Sequence, residues 1–163
     1  MSARQLLGIY LNDHLDGANA GAELARRLEA EAAGAPDADV LSRMAGEIEE
    51  DREVLRKLVD RIGSGPDPAQ QMAGWAAEKA HRLAVDEKLT VGADLTLLRE
   101  SETLSLGVEG KLDLLLVLLE VAPAHPELAD VDLGALADRA REQRSRLEAF
   151  RRNAARRAFA GHR

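Results

Sequence analysis

The stretch Leu6–Ala33, LLGIYLNDHLDGANAGAELARRLEAEAA, decides the reading of the fold. Within it Leu7, Leu11, His14, Ala18, Gly21, Ala25 and Leu28 recur at alternating steps of four and three, the a/d seam of a helix buried along one stripe. A histidine takes one seam position, and Gly17-Ala-Asn-Ala-Gly21 thins the helix just beyond it. A glycine inside a helix costs about 1 kcal/mol against alanine, so two of them predict close approach by a neighbouring backbone.

The remaining sequence reads as partners for this helix. At 163 residues the chain is expected to form a single domain, 1–163, with a core of its own. It is 45% apolar and 31% charged but only 2% aromatic, so the core has to be built from Leu, Ala, Val and Ile. That composition suits helices packed on helices and argues against sandwiches and barrels. Cysteine is absent, which removes disulfides, thiolate chemistry and cysteine-dependent zinc sites. MSARQLLGIY lacks the apolar core and cleavage site of a signal peptide, and the most apolar run, Leu112–Val121, is too short to span a bilayer. A cytoplasmic location without membrane contact is therefore expected. From Arg139 onward nine arginines face only Glu142 and Glu148. They surround the whole helix without interleaved aromatics, so they are expected to neutralise the acidic remainder of the chain rather than to bind nucleic acid.

Helix signals follow in order. Ser2-Ala-Arg-Gln5 forms a capping box for a helix over 3–33, which Gly34 and Pro36 stop. Asp37 or Asp39 caps a second helix over 38–62, with Leu41, Met44, Ile48, Asp51, Leu55, Leu58 and Ile62 on its seam. Asp67-Pro68-Ala-Gln70 opens a third, 68–89, carrying Met72, Trp75, Ala76, Lys79, Ala80 and Leu83 on one face. A fourth, 95–122, is given Leu98, Ser105, Glu109, Leu112, Leu116 and Leu119 on its stripe, with Leu97, Leu104, Val108 and Leu115 beside it in one broad apolar face and Asp94 as its cap. A fifth, 131–159, uses Leu133, Leu136, Ala140, Leu147, Phe150 and Ala154. The turn Gly63–Pro66 cannot carry the chain back along the second helix, because five residues reach at most about 17 Å and a 25-residue helix is about 37 Å long. The predicted fold is all-α: an antiparallel up-down-up-down four-helix bundle with a fifth helix packed along it.

Residues equidistant from a turn lie level in antiparallel helices. Reflection about the three turns places Gly21, Asp51, Lys79 and Ser105 in one layer, with an Asp51–Lys79 ion pair in the space that glycine leaves. It sets His14 near Glu109. The expected buried polar network is thus His14, Asp51, Lys79 and Glu109.

These carboxylates raise the question of a dimetal site, with His14, Glu47, Asp51, Glu78 and Glu109 as candidate ligands for iron or manganese. Such bundles require a Glu from each of two helices and a Glu-x-x-His from each of the other two. No Glu-x-x-His occurs: Glu50 follows Glu47, Val54 follows Asp51, and Leu112 follows Glu109 at the third position. The layer argument also separates Asp51 from the His14 level by about 9 Å. The expected content is buried pairs that fix helix register, with no cofactor. No serine nucleophile motif or phosphate-binding glycine loop is present, so no catalytic set can be assembled.

Taken together, Leu11-Asn-Asp-His14, Ala45-Gly-Glu-Ile-Glu-Glu-Asp51, Gly74-Trp-Ala-Ala-Glu-Lys79 and Leu106-Gly-Val-Glu-Gly-Lys111 resemble a group of uncharacterised bacterial all-helical proteins, loosely similar to ferritin-like bundles. The resemblance implies a helical bundle and no known activity. The missing Glu-x-x-His and the short second turn depart from a ferritin-type di-iron protein, which has a long crossover there. The functional expectation is a non-catalytic bundle acting through protein association, as a homodimer, with a carboxylate/histidine metal protein as the alternative.

Overall fold

The computed structural model describes residues 1–63 and 92–160. The described residues are all-helical, with no strand: α1 (Ala3–Glu31), α2 (Ala38–Ile62), α3 (Ala93–Val121) and α4 (Leu133–Phe159), with two short 3-10 turns, Ala122–Ala124 and Pro126–Leu128, between α3 and α4. The predicted helix over 68–89, with its capping box, Trp75, Glu78, Lys79 and His81, lies outside the described residues.

Local chemistry accounts for the ends. Ser2 accepts from the Gln5 amide while the Gln5 side chain accepts from the Ser2 amide at 2.7 Å, so the capping box forms as its spacing requires. Gly34 and Gly63 follow α1 and α2 with φ of 81° and 84°, the left-handed conformation that glycine adopts without a Cβ penalty. Asp132 caps α4 by accepting from the Ala135 amide at 2.9 Å. Two expected caps differ. Asp37 sits at the α2 N-cap without a side-chain cap bond, and Asp94 lies inside the first turn of α3, behind Gly92. Both carboxylates are drawn to one guanidinium, Arg157 of α4, at 3.7 and 2.9 Å.

Cross-helix contacts fix the neighbours and their directions. Arg4 at the start of α1 donates to the carbonyls of Ile62 and Arg61 at the end of α2, and Arg26 pairs with Glu49 at 2.6 Å. Arg27 pairs with Glu100 of α3 at 2.6 Å, while Tyr10 and Val117 line one groove. Arg157 reaches Asp94 and Arg144 reaches Glu109 at 2.7 Å, laying α4 along α3 in the opposite sense. Arg61 near the end of α2 approaches Asp130, just before α4.

The core is aliphatic, as the composition demands. Leu11, Leu28, Leu41, Met44, Leu118, Leu128 and Leu147 are its largest fully enclosed apolar side chains, with Phe150 the one buried aromatic among the described residues. On α3 the buried positions are Leu97, Leu98, Ser101, Leu104, Val108, Leu112, Leu114, Leu115 and Leu118. This corrects part of the expected face: Leu98 and Leu112 are buried, but Leu116 and Leu119 are each 41% exposed, and the centre of the face lies about one residue over, on the flanking Leu104, Val108 and Leu115. A helix with leucine on nearly every side, as in Leu114-Leu-Leu-Val-Leu-Leu119, gives periodicity little to choose between.

Leu147 touches no solvent. Its truncation, Leu147→Ala, is expected to lower stability by about 2–5 kcal/mol in guanidinium denaturation, through lost transfer energy and the cavity left behind.

Candidate functional site

The rotation of α3 decides which charges enter the core. Lys111 shares the buried stripe with Leu104, Val108, Leu115 and Leu118, whereas Glu109 turns to the rim. Lys111 Nζ donates to Asp51 Oδ2 of α2 at 2.5 Å and also to Gln143 Oε1 of α4. Arg139 of α4 donates to the other Asp51 oxygen and, at 2.9 Å, to Glu50. Gln143 is fully enclosed, and its amide nitrogen donates to Asp51 and to Glu47, each at 3.2 Å. Arg146 clasps Glu47 with both terminal nitrogens, at 3.0 and 2.5 Å. One cluster thus joins α2, α3 and α4 across the interior.

Its electrostatics follow from burial and pairing. Burial pushes the Lys111 ammonium below its ordinary range, and the Asp51 carboxylate only partly restores it. Burial alone would raise the Glu47 carboxyl, but hydrogen bonds from Arg146 and Gln143, with the Arg146 and Arg139 charges, hold it below the usual carboxylate range. Three carboxylates (Glu47, Glu50, Asp51) meet three cations (Lys111, Arg139, Arg146). Gln143 accepts from the lysine on one side and donates to carboxylates on the other, which fixes its amide orientation. The cluster is closed: it acts as a strut that locks helix register.

The candidate metal ligands do not converge on it. Glu47 and Asp51 are brought together, but Lys111, Arg139 and Arg146 take up the positions a metal ion would need. His14 is on α1, half-buried, edge-on to the Tyr10 ring at a centroid distance of 4.7 Å. Burial lowers its pKa, partly offset by Asp13 and Asp113. Glu109, expected beside His14, instead pairs with Arg144 at the rim of α3 and α4. Two things separate them: the contacts between α1 and α3 set His14 level with Asp113 rather than Glu109, and Glu109 is turned toward Arg144 of α4. Glu78 and Lys79 lie outside the described residues, and among those described no three His, Cys, Asp or Glu side chains form a metal-binding group.

Two cluster members carried a legible signal that the sequence reading passed over. Gln143 falls midway between Ala140 and Leu147 on the α4 seam, and Lys111 is three residues after Val108 and four before Leu115. The arginines of α4 are committed as well. Arg139, Arg141, Arg144, Arg146, Arg151, Arg152 and Arg157 each pair with a carboxylate, and Arg156 donates to Asn153. Compared with protein-family models, with curated proteins and with solved structures, the chain matches none.

Asp51→Ala leaves Lys111 enclosed without its carboxylate and is expected to cost about 3–5 kcal/mol in chemical denaturation. The combination Asp51→Leu with Lys111→Met, which removes both charges, should recover much of that loss. For Glu47 the folded pKa lies below the ordinary 4.5, so its contribution is present above that value and is lost as pH falls toward the folded pKa. Acid titration of stability should accordingly fall less steeply below pH 4.5 in Glu47→Gln than in the unsubstituted protein.

Proposed function

We propose that this chain is a cytoplasmic, non-catalytic helical bundle that works through protein association, as a homodimer. Its architecture is read as the antiparallel up-down-up-down bundle with a further helix alongside. The neighbouring directions of α1, α2, α3 and α4 support that reading. No helix among the described residues is long and apolar enough to cross a membrane, which agrees with a site of action away from the bilayer.

The observation that carries the association reading is the pair Leu116 and Leu119, two leucines three residues apart on α3, each 41% exposed. Burying a leucine side chain is worth about 1.5–3 kcal/mol, so their placement at the surface favours a second protein surface over them. The interior polar groups support the same reading, because each charge of the Asp51 cluster is spent on a neighbouring helix rather than aimed at a ligand.

Light scattering at micromolar concentration should give twice the mass of the chain. Leu116→Glu with Leu119→Glu should return it to the mass of one chain while helicity in circular dichroism is retained. A strict monomer before substitution sinks the homodimer reading.

A further inference from the structure

The seam glycines of α1 do not mark close approach among the described residues: a Cβ built on Gly17 or Gly21 meets no atom within 4 Å. What the packing of α1 leaves unexplained lies at its C-terminal end. Two carboxyl groups, Glu31 of α1 and Glu100 of α3, face each other there within hydrogen-bonding reach. As two carboxylates they would repel, and neither could donate to the other. The Glu100 side chain is only 15% exposed, and its Oε1 pairs with Arg27 Nε at 2.6 Å. Its other oxygen, Oε2, is sealed from solvent and has no donor among the described residues. An ionised carboxylate accepts on both oxygens, so a buried oxygen without a donor disfavours the ionised form.

Glu31 is disfavoured as an anion for a different reason. It is the last residue of α1, whose final turn carries no basic side chain. A negative charge at that position meets the negative end of the helix dipole and the free carbonyls of the last turn. One proton resolves both conflicts. Carried on Glu100 Oε2, it turns the unpartnered acceptor into a donor, gives the Glu31 carboxylate a partner and cancels one of the two charges. The groups that act on Glu100 among the described residues are local. Burial raises its carboxyl, the Arg27 charge draws it back, and Glu31 lifts it again by charge and by the bond between the two groups; the outcome lies above the ordinary 4.5. At the same end of the bundle Asp37 of α2, Asp94 of α3 and Arg157 of α4 answer one another instead.

We propose that Glu31 and Glu100 share one proton and so form a pH-sensitive latch between the last turn of α1 and α3. With the proton in place, the hydrogen bond pins that turn, which closes with the Ala32 amide on the Leu28 carbonyl at 3.0 Å. Without it, the two carboxylates repel, Glu100 Oε2 is left buried without a donor, and the turn frays. The sign is opposite to that of Glu47. The folded chain holds this proton more tightly than the unfolded one, so the latch contributes fully below the ordinary 4.5 and its contribution is lost as pH rises through the folded value.

Side-chain carboxyl NMR of the full chain reads the proton directly. The Glu100 midpoint should lie above 4.5 in the unsubstituted protein. Glu31→Gln, which keeps the shape and removes the second charge, should shift that midpoint down, and Arg27→Gln should shift it up. Amide hydrogen exchange, corrected for intrinsic rates, reads the latch. Protection of the Ala32 amide should rise as pH falls toward 4.5 in the unsubstituted protein. In Glu100→Gln, whose side-chain amide can donate to Glu31 at every pH, it should be high and nearly independent of pH. A Glu100 midpoint at or below 4.5, or one that Glu31→Gln leaves in place, overturns the shared proton. Ala32 protection that does not change with pH in the unsubstituted protein overturns the latch. The midpoint and the protection of the unsubstituted protein need no variant, so a substitution that fails to fold leaves both readouts intact.

Discussion

The carboxylate of Asp51 is the constraint around which the helices are arranged. An ionised group with 6% of its side chain exposed is tolerable only if cations and donors come to it. Lys111, Arg139 and Gln143 come from two different helices, so satisfying one oxygen pair on α2 fixes the axial position and rotation of α3 and α4 together. Aliphatic packing supplies most of the driving force, but leucine and alanine surfaces slide and rotate with small penalties. The ion cluster supplies the directional information that such a core lacks.

This division of labour explains what could be read from the sequence. Among the described residues, the four helices and the seams of α2 and α4 follow from periodicity and glycines, whereas only the ends of the α1 seam are buried as expected and the Asp37 and Asp94 caps are not formed. Asp51 was legible as an acid on an otherwise apolar seam. Its partners were not, because α3 is apolar on too many sides for periodicity to choose a face. With the face of α3 turned by one position, Val108 takes the inward place expected for Glu109, and Lys111 comes to bear on Asp51. Gln143 was visible at a seam position, but a neutral amide attracts attention only once its donors and acceptors are paired.

Ferritin-like metal chemistry and this core call for the same raw material, acidic side chains facing inward from several helices. The difference lies in what answers them. Here guanidinium and ammonium groups arrive from α3 and α4 in matching number, and His14 is held apart against Tyr10. Acidic residues at helical spacing therefore carry little functional meaning until the cations of the later helices have been counted.

The separation of these partners along the chain has a consequence for biosynthesis. Asp51 and Arg139 are 88 residues apart, and Glu47 and Arg146 are 99 apart. A ribosome that has released α1, α2 and α3 has exposed acids whose cations are still to be made, apart from Lys111. Until α4 joins them, Glu47 and Asp51 lack the Arg146, Arg139 and Gln143 partners that fix helix register. Contacts this far apart in sequence make closure by α4 a high-contact-order step, the kind that slows folding.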